Sequence, residues 1–181
     1  AFKALLEKMG FYNIKFKLLL VNTPSVVHFG LPSVENEYIF ILSAPFIRSL
    51  DLTKVDIALL LLEDFLRLQN RDFINNLKID KTFFGKYFLE AKLNKKYVNE
   101  TIEAYTKNIF EIGFTFHQQF EVTKKMGSLL KSDPALWGAY FRLINKIDRF
   151  IKNDFLYKDY LKIYPSPELQ IQWLSPKKKV I

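Results

Sequence analysis

The 181-residue chain contains no cysteine. Disulfides and thiolate metal sites are therefore excluded, while the compartment stays open between cytoplasm and periplasm. Histidine is nearly absent too, with only His28 and His117. No apolar run approaches the roughly 18 residues that a membrane-spanning helix needs. None of the six glycines lies in a phosphate-cradling pattern. Ser43, Ser49 and Ser128 have no surrounding motif that would make a nucleophile. No repeat and no low-complexity linker divides the chain, so a single domain over 1–181 is expected. No secretory leader is visible, and Ala1–Gly10 already reads as helix, so the chain is expected to be a trimmed piece of a longer protein.

Apolar and aromatic residues are abundant, at 49% and 16%. A chain of this length and composition buries a sizeable core. The net charge of +8 invites nucleic acid or anionic membrane as partners. The lysines are scattered, however, and the one dense run is Lys177–Lys179. A solvated basic face is the first expectation, a membrane-proximal tail the second, and nucleic acid the least favoured.

Periodicity places a helix over Phe2–Met9, ended by Gly10, and strands at Tyr12–Val21 and Tyr38–Leu42, with a short extended piece at Val26–Gly30 between them. Leu31–Glu37 reads as loop, and Ser43-Ala44-Pro45 starts a short helix to Ser49. A long helix follows and runs to about Leu77. Then come a turn at Ile79–Thr82, an aromatic amphipathic helix at Phe83–Leu93, and either one long helix or two in series over Lys96–Lys131, weakened at Gly113 and Gly127. Asp133-Pro134 signals a restart, with Asp as N-cap and Pro in the first turn. That helix runs Ala135–Ile151, and its expected buried face is Leu136, Tyr140, Leu143, Ile144 and Ile147. The tail from Asp154 reads as loop and short helix. The expected fold class is α+β, mainly helical, with a small N-terminal sheet.

Leu50–Asp72 is the segment around which the rest is organised. Thr53 and Asp56 have capping-box spacing. Ile57–Leu62 is then apolar on every face, as in a helix covered on most sides. Glu63 interrupts the run on the same side as Leu59, Leu62 and Leu66. A carboxylate there lies at a wet rim, or needs a partner, or marks a former site.

Three segments together carry a resemblance. Leu62-Glu63-Asp64-Phe65-Leu66, with Asn70-Arg71-Asp72 behind it, resembles the H-E-x-x-H helix of HtpX-type zinc peptidases, gluzincins that include CAAX prenyl proteases and BepA-like periplasmic proteases. Glu121 through Asp133-Pro134 to Leu143 resembles the segment that begins with E-A-D and leads through a G-D-P-x-A-L turn. Tyr164-Pro165 to Leu174 resembles the late H-P motif with its arginine. The order strand, loop, strand, helix matches as well.

The resemblance implies a gluzincin-like fold in a bacterial, membrane-associated setting, and it implies which positions have changed. The two zinc histidines stand as Leu62 and Leu66. The general base remains as Glu63, and the third ligand is assigned to Glu121. The late histidine and arginine are Tyr164 and Gln170. Leucine cannot coordinate zinc, and two carboxylates make only a hard-oxygen site. The expectation is a pseudopeptidase with no metal and no other cofactor, whose former site is filled by the leucines. Glu63 and Glu121 then either face a residual cleft or pair with nearby Lys or Arg. The implied role is protein or peptide binding, with strand addition at an edge carrying Asn22, Val26 and Phe29. Two rival readings are a hydrolase with chemistry relocated to Glu63, Glu121 and His117 (which has Glu121 at i+4), and a basic helical module binding nucleic acid or anionic lipid. Glu63 with Asp64 is a poor acid pair, since adjacent helical residues point about 100° apart.

Overall fold

A computed structural model describes residues 1–24, 27–32, 37–72, 100, 103–104, 106–157 and 159–175. The elements expected within residues 73–99, with Val26 and Lys177–Lys179, lie outside the described residues. The protein is α+β and mainly helical. Its elements are α1 (Phe2–Lys8), β1 (Lys15–Val21), β2 (His28–Pro32), β3 (Glu37–Ser43), α2 (Ala44–Ser49), α3 (Lys54–Gln69), a π-helical turn (Asn108–Ile112), α4 (Phe116–Leu130), α5 (Pro134–Asn153), a 3-10 turn (Phe155–Tyr157), α6 (Tyr160–Ile163) and α7 (Pro167–Leu174).

Local chemistry sets the helix starts. In α2, Phe46 N donates to Ser43 Oγ at 3.2 Å. In α3, Asp56 N donates to Thr53 Oγ1 at 3.1 Å, and Thr53 N donates back to Asp56 Oδ2 at 2.9 Å. Asp133 Oδ1 accepts from both Ala135 N and Leu136 N at 3.0 Å, which opens α5. Each cap satisfies amide groups that the first turn leaves without partners.

The stretch expected as one helix or two is divided. The π-helical turn ends at Gly113, which has φ +63°. Thr115 and Gln118 then form a second capping box. A Cβ on Gly113 would lie 2.0 Å from the Lys162 carbonyl oxygen. Only glycine allows this approach, which lets Phe114 N donate to Ile163 O at 2.9 Å. Gly127, by contrast, sits inside an unbroken α4. Leu136 is half-buried, while the other four residues expected on the buried face of α5 are buried as expected.

The sheet has the order β1-β3-β2, with β1 parallel and β2 antiparallel to β3. It packs on α3, and β2 runs directly against that helix. A Cβ on Gly30 would lie 2.8 Å from Leu68 Cδ1, so glycine permits this close packing. Helices α1, α4 and α5 surround the rest of α3. Every residue of α3 from Ala58 to Leu68 is buried, including Glu63, Asp64 and Arg67.

Candidate functional site

Because α3 has no solvent face over three turns, its polar side chains must be satisfied inside. Glu63 is 5% exposed, Asp64 2% and Arg67 2%. Arg67 follows Glu63 by four residues and Asp64 by three, so its guanidinium returns along the helix to both. Nη1 donates to Asp64 Oδ1 at 2.9 Å, and Nη2 donates to Glu63 Oε1 and to Gln119 Oε1, the latter at 2.7 Å. The guanidinium also lies over two aromatic rings, Phe114 at 5.0 Å and Tyr164 at 4.8 Å.

The other partners arrive from several surrounding elements. Gln119 of α4 donates Nε2 to Glu63 Oε1 at 3.0 Å. Tyr140 of α5 donates its hydroxyl to Glu63 Oε2 at 2.8 Å. Gln170 of α7 reaches Glu63 Oε1 at 3.3 Å and Thr123 Oγ1 at 3.2 Å. His28 of β2 places Nδ1 2.8 Å from Asp64 Oδ2 and Nε2 3.5 Å from the Tyr160 hydroxyl. Its ring stacks on Tyr164 at 4.3 Å, and the Tyr164 hydroxyl donates to the His28 carbonyl.

The electrostatics follow from this packing. Burial alone would raise the pKa of Glu63. The Arg67 charge and the hydrogen bonds from Gln119 and Tyr140 overcome it and, together with His28, hold Glu63 below its ordinary value. Burial lowers the pKa of Arg67, yet Glu63 and Asp64 raise it by more, so it stands above its ordinary value. Burial and the neighbouring carboxylates raise Tyr140, Tyr160 and Tyr164. The centre is thus a fixed cation clasped by two carboxylates, with three neutral phenols around it.

The sequence-assigned positions divide into two groups. Glu63, Tyr164 and Gln170 come together at this centre although more than 100 residues separate the first from the last. Leu62 and Leu66 are buried beside them on α3. Glu121 does not join. It is half-buried on α4, about 200° around the helix from Gln119, the side chain that does face Glu63. His117 is exposed on the same helix. Asn22 accepts a long hydrogen bond, 3.5 Å, from Arg48 Nη2. Phe29 is a core residue, 2% exposed and stacked on Phe114, so a peptide reaching it would have to displace that ring.

Glu63 pairs with a nearby arginine, one of the two outcomes expected, but the sequence reading did not name Arg67, and it missed Gln119, Tyr140 and the His28–Asp64 pair. The spacing of Glu63 and Asp64 to Arg67 was the available signal, but on an ordinary helix such pairs face water.

A zinc ion does not fit these residues. Leu62 and Leu66 supply no donors, and the inner face of Glu63 already holds a guanidinium. Among the described residues, no three His, Asp or Glu side chains gather in a metal-binding group. Two surface cavities, of about 250 and 430 Å³, are lined by other residues. Among the described residues, no helix is long and apolar enough to cross a membrane.

Comparison with protein-family models, with curated proteins and with solved structures finds no match to this chain. What fold and site define on their own is an α+β domain, its sheet and helices closed over an arginine-centred polar core.

Proposed function

We propose that this chain is a catalytically silent zinc-peptidase-like domain that acts by binding a protein or peptide. One observation carries the proposal: the Arg67 guanidinium occupies the inner side of the Glu63 carboxylate, where the resemblance would put a zinc and its water. A built-in cation takes over the electrostatic role of the metal, keeping Glu63 ionised, and supplies no open coordination position. The convergence of Glu63, Tyr164 and Gln170 supports the same reading, since the first and last of the three segments assigned by resemblance meet at one point. So does the antiparallel strand β2 lying across α3. Within this reading the E-A-D segment fits better two residues earlier, with Gln119 at the ligand position and Glu121 at the acidic position after it. That register replaces a third ligand with an amide that hydrogen-bonds both Arg67 and Glu63.

The test is hydrolysis. A quenched-fluorescent peptide library incubated with the zinc-supplemented domain is expected to show no cleavage above that of Glu63→Gln, which keeps the side-chain shape. Cleavage abolished by Glu63→Gln would overturn the proposal and favour a working hydrolase.

A further inference from the structure

We propose that the open edge of β1 docks an extended acidic peptide as a fourth strand. This rests on the reading that the domain works by binding, but not on the loss of the zinc site. Among the described residues nothing pairs with the outer side of β1, which is a terminal strand of the sheet. Alternate residues of this strand turn their amide and carbonyl groups away from β3. Natural proteins blunt such edges or use them, and this one is apolar where it is most open. Leu18 is 43% exposed, Leu19 49% and Leu20 64%. Leu18 and Leu20 lie on the face that β3 shares through Phe40 and Leu42, and Leu19 on the opposite face with Ile41. Among the described residues the strand therefore offers aliphatic contact on both faces together with an unpaired backbone edge.

Three occupants fit an apolar strand. A membrane is a poor one, because an open edge placed in hydrocarbon leaves its backbone groups without partners. A second copy is also disfavoured. Antiparallel pairing of two β1 strands about Leu19 sets Lys17 opposite Val21 and gains no charge complement, while joining two chains of net charge +8. A peptide with acidic residues meets the remaining features. At the start of β1, a cavity of about 250 Å³ is lined by Lys3 and Lys15, with Leu6, Phe11 and Ile14 as apolar floor and Glu7 the one carboxylate among the described lining residues. Lys17, two residues further along β1, is exposed and reaches Glu37 at 3.4 Å. An Asp or Glu side chain seated between Lys3 and Lys15 sets the register, and β-branched residues then run along Leu18–Leu20.

The experiment is a fluorescence-anisotropy titration of the whole chain with two labelled peptides, acetyl-Glu-Asp-Val-Thr-Val-Thr-Val-amide and its Lys-Lys counterpart. The acidic peptide is expected to bind at least about tenfold tighter, since like charges facing each other across an interface cost more than that factor. Lys3→Glu combined with Lys15→Glu changes only exposed side chains and should reverse the preference. Leu19→Glu should weaken both peptides. Equal binding of the two peptides, or an unaltered preference in the double variant, would overturn the proposal. A dimer in sedimentation velocity that Leu19→Glu dissolves would overturn it in favour of a second copy. Adsorption of the chain to phosphatidylserine vesicles that Leu19→Glu abolishes would do so in favour of a membrane. Zinc content is independent of all these variants, so failure here leaves the silent-peptidase proposal to be judged separately.

Discussion

Replacing Arg67 by methionine removes the cation and keeps most of the apolar stem. The two carboxylates it serves then remain buried, Glu63 with three neutral donors and Asp64 with His28. Losing one partner of a buried ion pair costs about 3–5 kcal/mol, mainly because the other charge stays desolvated. Two carboxylates share this arginine, together with contacts to Phe114 and Tyr164, so the upper end of that range is expected. Domains of ordinary stability have about 5–15 kcal/mol in total. The variant should therefore lose about a third or more, read as a fall in the urea midpoint with unchanged slope by circular dichroism. Acid distinguishes this mechanism from simple loss of packing. In the native chain Glu63 has a depressed pKa, so its contribution is present above its ordinary value of 4.5 and is lost as pH falls through the lower folded value. Without the Arg67 charge, burial pushes Glu63 upward, and the penalty of its buried charge fades as pH falls from neutral toward the ordinary carboxyl range. The gap between native and variant chains should thus narrow on mild acidification. A loss below about 1 kcal/mol, or one of equal size at neutral and mildly acidic pH, would refute the reasoning.

Tyr140→Phe removes the donor to Glu63 Oε2 and should cost about 1.5–3 kcal/mol in the same denaturation assay, the range for a buried hydrogen bond to a charged group. Gly113→Ala forces a Cβ onto the Lys162 carbonyl at a positive φ, so it should destabilise by more than the roughly 1 kcal/mol of an ordinary glycine replacement, with a visible drop in melting temperature. Spectrophotometric titration should show Tyr140, Tyr160 and Tyr164 silent through the normal phenol range, ionising only when alkali unfolds the chain, because burial raises all three.

Elements that depend on neighbouring residues could be read from the sequence. Thr53 with Asp56 and Asp133 with Pro134 mark helix starts through contacts made within one turn, and the structure shows those contacts. The unbroken apolar run at Ile57–Leu62 correctly implied a helix covered on most sides. Its consequence for Arg67 was not drawn: where Leu59–Leu62, Phe65, Leu66 and Leu68 are all buried, an arginine in their midst has no route to water. The resemblance pointed to Glu121, and Gln119 was not considered; the helical phase of the buried Val122, Met126 and Leu130 turns Gln119 toward Glu63. Strand alternation could not tell which face of β2 would be covered. Phe29 is enclosed by Phe114, which is 85 residues away in the chain and is brought close by the turn at Gly113.

The central proposal is that a protein cation stands where the resemblance puts a metal. It is tested most directly by incubating the purified chain with excess zinc, desalting it and measuring bound zinc by elemental mass spectrometry. Retention of essentially no zinc is the expected result, since Arg67 already bonds Glu63 and Leu62 and Leu66 offer no donors. Near-stoichiometric zinc would contradict the account.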